Sequence, residues 1–258
     1  MEFLRTARQR SILSETLYIA LNLALAIAVF LAVWAFQTPL IALLIVLISK
    51  WRVLAVRPRY WLANIQANLV DLVVSFGFVG LIYYSSALPA QLVITLLYIA
   101  WLFFLKPQSK PVFMVIQAHV AGVVGITALM NVSYSWPLAI VVLLMWLIGY
   151  SAARHILTAY QEKQVSFIAL LWGFVIAQLG WLAYHWTIAY ALPGTGGLML
   201  PQLAIVVFFF GFLAERVYHS KYTHGQIQSS DVILPVLLSV SVVMILLLLF
   251  NSIGTGAI

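Results

Sequence analysis

The sequence predicts an all-α integral membrane helix bundle: nine transmembrane helices in a single transmembrane domain over 1–258, with no soluble domain. Three observations carry this. Hydrophobic types make up 65% of the 258 residues and charged types only 7%. A soluble domain carries about 25% charged residues, so too little polar surface remains to coat a globule of this size in water. Apolar runs recur along the chain near the roughly 20 residues that a helix needs to cross the hydrocarbon core. Basic residues fall only at alternate connections between those runs.

The first run, Ser14–Phe36, is longer than the roughly 7–15 residues of a signal-peptide core, and no small-residue cleavage motif follows it. It reads as an uncleaved first span. The second, Pro39–Val56, is the least regular. Its clean apolar part is Pro39–Ile48, and Lys50 and Arg52 have to snorkel from its end. The remaining spans are Tyr60–Tyr83, Pro89–Leu105, Pro111–Asn131, Trp136–Ser151, Ser166–Trp186, Pro201–Val217 and Asp231–Phe250. Even-numbered spans begin at or beside Pro39, Pro89, Pro137 and Pro201. Proline suits a first helical turn, where its missing N–H has no intrahelical partner anyway. These spans end near basic residues, which suit the negative end of the helix dipole. The five residues from Leu138 and the five from Leu203 are the same, LAIVV, as a tandem repeat of helical hairpins would give; internal symmetry is common in transporter folds. The connection Thr187–Leu200 contains Pro193 and Gly194, Gly196 and Gly197. Lacking the strand and helix of a phosphate cradle, it is expected to be a flexible loop.

All 13 Lys and Arg lie on one side of this scheme: Arg5, Arg8 and Arg10; Lys50, Arg52, Arg57 and Arg59; Lys106 and Lys110; Arg154 and Lys163; Arg216 and Lys221. The positive-inside rule then places the N-terminus in the cytoplasm and the C-terminus outside, and the expected location is a prokaryotic cytoplasmic membrane. The net charge of +7 points to anionic lipids on the cytoplasmic face, not to nucleic acid. Arg52, Arg57 and Arg59, interleaved with Trp51, Tyr60 and Trp61, are candidate lipid-headgroup residues. The absence of cysteine excludes disulfides, thiolate nucleophiles and thiolate-held metals.

Polar residues gather on the odd-numbered spans: Asn22, then Asn68 and Asp71, Gln117 and His119, Gln178, and Ser239 and Ser241. Most glycines of the spans follow the same division. Small residues let helices approach and polar side chains link them, so the odd helices are expected to form an inner ring around one polar layer. Asp71 is the sharpest signal. An aspartate at the centre of a span costs about 2.5–3.5 kcal/mol on insertion scales and is a functional candidate by default. Asn64, Asn68, Asp71 and Ser75 recur at helical spacing and share one stripe. His119 lies at similar depth and is the expected partner of Asp71. The candidate substrate- or proton-binding residues are therefore Asp71, His119, Asn68, Asn64, Gln117 and Gln178. A protonated Asp71 acting only as interhelical glue is the structural counterpart of that reading. Glu215 and His219, four apart at the end of span eight, read as solvated interfacial residues.

No nucleophile–base constellation and no metal-ligand set is visible, and no cofactor is expected. The span count and the Asn64, Asn68, Asp71 stripe are similar to UbiA-type membrane prenyltransferases, a likeness that implies two aspartate-rich motifs holding magnesium and pyrophosphate. This chain has one aspartate there and no second cluster, so membership is rejected. The leading function class is a transporter or membrane-embedded binding component for a small neutral or amphipathic substrate, coupled to protons through Asp71 and His119. Two classes stand beside it. One is a membrane scaffold or assembly protein with a membrane protein partner or a second copy of itself. The other is an inner-leaflet lipid-phosphate enzyme in which Arg57 and Arg59 hold the phosphate.

Overall fold

The computed structural model describes residues 2–250, with side chains from Thr16 onward apart from that of Leu54. The side chains of Arg5, Arg8, Arg10 and Glu15 lie outside the described set. The helices are α1 (Glu2–Phe36), α2 (Pro39–Ser49), α3 (Trp51–Leu54), α4 (Trp61–Tyr84), α5 (Leu88–Ala100), α6 (Pro111–Val132), α7 (Leu138–Ala159), α8 (Val165–His185), α9 (Gln202–His224) and α10 (Ser229–Leu249). A 3-10 turn, Pro58–Tyr60, leads into α4, and a π-helical turn, Trp101–Leu105, extends α5. Among the described residues, 8 helices are long and apolar enough to cross a membrane. The chain is a helical, multi-pass membrane protein.

The segment expected as the second span is different. α2 has 11 residues, about 16 Å of rise and roughly half of the hydrocarbon core. The Ser49 hydroxyl turns back to the Val46 carbonyl at 2.6 Å, and after Lys50 the chain resumes as the four-residue α3. A continuous helix would have carried Lys50 and Arg52 onward along an apolar face. The break instead frees Lys50 to turn inward.

Two large apolar cores lie side by side, with a smaller cluster of Leu69, Tyr150, Leu157 and Ala169 beside them. One joins α1, α2, α4 and α5 around Val29, Val46, Val74 and Tyr98. The other joins α6, α7, α8 and α9 around Ile126, Met145, Ile176 and Val207. They meet along α4 and α6. A Cβ on Gly77 would lie 2.6 Å from Val124, and one on Gly125 would lie 2.8 Å from Val73, so glycine is what allows this approach. The pair α7 and α8 uses the same device, with Gly149 against Ile176 and Gly180 against Met145.

The inner ring of odd-numbered spans does not form. α4 and α6 are central, each with 50% of its crossing window buried, and α7 follows at 39%. α8 and α10, also expected inside, fall to 28% and 11%. The glycines mark pairwise contacts, which need no ring.

The connection expected to be a flexible loop is ordered. Strands β1 (Ala189–Ala191) and β2 (Met199–Pro201) pair antiparallel, with Tyr190 opposite Leu200. The Ser85 and Ser86 hydroxyls donate to the Thr195 and Gly196 carbonyls at 2.7 and 2.6 Å. Gly196 has φ +69°, and a Cβ there would strike Ser86 Oγ at 2.2 Å. Asn131 donates to the Met199 carbonyl at 2.7 Å and accepts from its N–H at 3.0 Å. Leu198 is buried in the first core. The hairpin thus caps one end of the bundle.

Candidate functional site

Asp71 sits on α4 among cations, not beside His119. Lys50, at the break after α2, and Lys106, just past the π-helical turn, both aim their ammonium groups at Asp71 Oδ2; the Lys106 contact is 3.1 Å. The Trp101 indole N–H donates to Oδ1 at 3.4 Å. Lys50 therefore does not snorkel to the surface; its side chain is 10% exposed.

Each lysine occupies the C-cap position of its helical segment, the end of a helix that favours a cation. Lys50 is at the same time the N-cap of α3, the end that does not, so the Asp71 carboxylate is its main counter-charge. The cluster clasps two irregular helix ends onto α4.

The other stripe residues serve the backbone. Asn64 donates to the Val53 carbonyl at 3.2 Å, holding α3 against α4, and Asn68 donates to the Asn64 carbonyl at 2.8 Å. Gln117, buried on α6, donates to the Leu105 and Gln108 carbonyls at 2.5 and 2.9 Å and accepts from His155 Nε2 at 2.7 Å. It buttresses the end of the π-helical turn, adding a side-chain donor to the Leu105 carbonyl, which also accepts from the Gln108 N–H at 3.1 Å. Gln178 is exposed on the outer face of α8 and joins no cluster. Arg52, Arg57 and Arg59 are exposed, with Arg59 lying 4.6 Å over the Tyr60 ring. The expected single polar layer is thus divided, and His119 falls in a different place from Asp71.

That place is hollow. A cavity of about 140 Å³ lies between α6, α7, α8 and α9. A shallower groove of about 440 Å³ between α6 and α9 adjoins it, sharing His119, Val123, Phe208 and Glu215. Its rim includes Ile116 and Phe208, both exposed, so the groove opens on the outer surface of the bundle. The cavity wall is apolar apart from His119, Glu215, Tyr218 and the indole N–H of Trp172. Gly122 helps make the space, since a Cβ there would meet nothing within 4 Å.

His119 Nδ1 lies 2.8 Å from the Val115 carbonyl. A carbonyl only accepts, so Nδ1 carries the proton and Nε2 of the neutral ring is a bare acceptor. Nε2 is buried and has no partner among the described residues. The ring stands edge-on to Phe208, with centroids 5.4 Å apart.

Glu215 departs from the solvated role expected of it. Its side chain is 4% exposed. Oε1 accepts from the Tyr160 hydroxyl at 2.6 Å. Oε2 makes no hydrogen bond, although Arg216 Nε lies 3.2 Å away. The Tyr160 hydroxyl is also 3.3 Å from Nδ1 of His219, which is exposed. Burial, and then the Glu215 carboxylate, push the Tyr160 hydroxyl far above its usual range, so it stays a donor. Tyr218 donates to Glu162, and that bond holds the exposed Glu162 carboxyl below the usual carboxylate range. Sequence reasoning missed Glu215 for two reasons. α9 runs to His224, past the expected end at Val217, and its key partner Tyr160 lies 55 residues away.

Set against protein-family models, curated proteins and solved structures, the chain finds no match. Its chemistry therefore has to be read from these side chains.

Proposed function

We propose that the protein is a membrane-embedded binding component or transporter for a small neutral or amphipathic molecule, and that the cavity between α6, α7, α8 and α9 is its binding chamber. One observation carries this reading: among the described residues, an apolar cavity of about 140 Å³ has in its wall a buried acceptor without a partner, His119 Nε2, and a buried carboxylate, Glu215, whose Oε2 has the Arg216 guanidinium nearby but no hydrogen bond. A buried unsatisfied polar atom costs about 1–3 kcal/mol, which an arriving donor or proton offsets. A cavity of about 150 Å³ accepts a benzene-sized guest, so the chamber takes a group of that order, and any longer part of the guest has the adjoining groove. Proton coupling, if substrate moves, belongs to Glu215 and His119. Asp71 is engaged by two ammonium groups, whereas Glu215 connects through Tyr160 toward exposed His219. The charge distribution supports a cytoplasmic N-terminus and an outer C-terminus, and supports anionic headgroups at Arg52, Arg57 and Arg59.

The chain has no cysteine, so Ala153→Cys puts a single label site on the chamber wall. In nanodiscs, small aromatic or aliphatic amphiphiles should slow its reaction with an apolar maleimide in a saturable way. Phe167→Cys, on the exposed face of α8, should be unaffected. Protective compounds are then tested for passage in proteoliposomes. If no compound changes the labelling at position 153, the chamber is not a binding site.

A further inference from the structure

The chamber wall carries more information than its size. Among the described residues, its buried polar atoms without hydrogen bonds are one-sided: both accept and neither donates. They are not equivalent. Glu215 Oε2 has the Arg216 guanidinium 3.2 Å away, which offsets its charge, and its other oxygen is taken by Tyr160. His119 Nε2 has no partner among the described residues, and with the Val115 carbonyl accepting from Nδ1–H it is an acceptor in the neutral ring. The neighbour on α9 is Gly211, which has no side chain; a Cβ there would lie 3.5 Å from Nε2. The remaining wall is alanine, valine, isoleucine and leucine with Trp172 and Phe208. Bringing a full positive charge among such groups is costly, and the one carboxylate nearby already has a cation beside it. A neutral hydroxyl needs far less desolvation and supplies the missing donor.

We infer that the chamber selects neutral molecules with an apolar body and one terminal hydroxyl, an alcohol or phenol of roughly benzyl size, and that the hydroxyl donates to His119 Nε2 through the gap left by Gly211. This names the substrate class of the chamber and rests on the binding reading above. A ligand lacking the donor gains only apolar contact. A ligand with an ammonium group has to shed its hydration in an apolar space.

The test compares benzyl alcohol, toluene, anisole and benzylamine as protectants of Ala153→Cys in nanodiscs, each corrected for its concentration in the membrane. Benzyl alcohol should protect at about tenfold lower membrane concentration than the other three, the worth of one buried hydrogen bond. The advantage should shrink to within about twofold in His119→Phe, which keeps a ring and removes the acceptor. It should shrink equally in Gly211→Ala, whose methyl makes only ordinary contact with Nε2 and leaves the fold in place. Toluene should bind His119→Phe as before, and the methyl of Gly211→Ala, on the chamber wall, should weaken benzyl alcohol more than toluene. A measurement on the unmutated ring stands beside these: the ¹⁵N resonance of His119 Nε2 should move with benzyl alcohol and stay still with toluene. Equal protection by toluene or anisole overturns the inference, as does an advantage that survives both variants or an Nε2 resonance indifferent to benzyl alcohol. Protection by none of the four overturns the chamber itself, a different failure from protection without preference.

Discussion

Asp71 shows how far one side chain can be read before its neighbours are known. Its cost in an apolar span marks it in the sequence, and its helical register with Asn64 and Asn68 is legible from spacing alone. Its partners are not. Lys50 and Lys106 look like surface anchors because each follows an apolar run, and nothing local says that a break after Ser49 and a π-helical turn at Trp101–Leu105 aim both at one carboxylate. Removing that carboxylate leaves two ammonium groups facing each other in a poorly solvated place. Asp71→Asn should therefore lower stability by on the order of 3–5 kcal/mol, read as a drop in Tm in detergent. Adding Lys50→Met to that variant should recover part of the loss, because one orphaned charge disappears. His119 is the reverse case. Its position within an apolar helix was legible, but its tautomer and its unfilled acceptor depend on where Val115 and Gly211 stand.

At the scale of helices, the apolar runs themselves were plain. The break in the second run was only hinted at, by the short clean stretch ending at Ile48. The π-helical turn was invisible, because Trp101–Leu105 is as apolar as any helix interior and the turn is stabilised from outside by Gln117 on α6. Glycine positions were legible, yet their meaning was not: the same residue type marks both contact and void. Gly149 faces Ile176, where a Cβ would come within 2.7 Å, whereas Gly122 faces open space. Gly149→Ala should cost about 1–3 kcal/mol through overpacking against α8. Gly122→Ala should leave the melting temperature nearly unchanged while reducing the volume available to a guest. Thermal unfolding of the two variants side by side checks the pair.

For the molecule as a whole, hydropathy and charge were enough to indicate a helical membrane protein, because they report what each segment touches, lipid or water. They could not report which helices are central, since every apolar span looks alike whether it meets lipid or protein. The division into two cores along α4 and α6, a charged clasp in one and a cavity in the other, is a tertiary fact. One global prediction follows from the charges. Reporters fused to the two termini should lie on opposite sides of the membrane, which requires α2, α3 and the Pro58–Tyr60 turn together to complete a crossing. A same-side result would make that segment re-entrant.

The β-hairpin has a mechanical consequence. It grips the α4–α5 connection through Ser85 and Ser86, and α6 through Asn131, and it leads through Pro201 directly into α9. Like the spine of a book, it holds both covers at one edge, so any swing between them is greatest at the far margin. Spin labels at exposed Leu88 and Tyr134 should keep a narrow distance distribution under all conditions, while a pair at Arg59 and Tyr222 should broaden or shift when a guest enters.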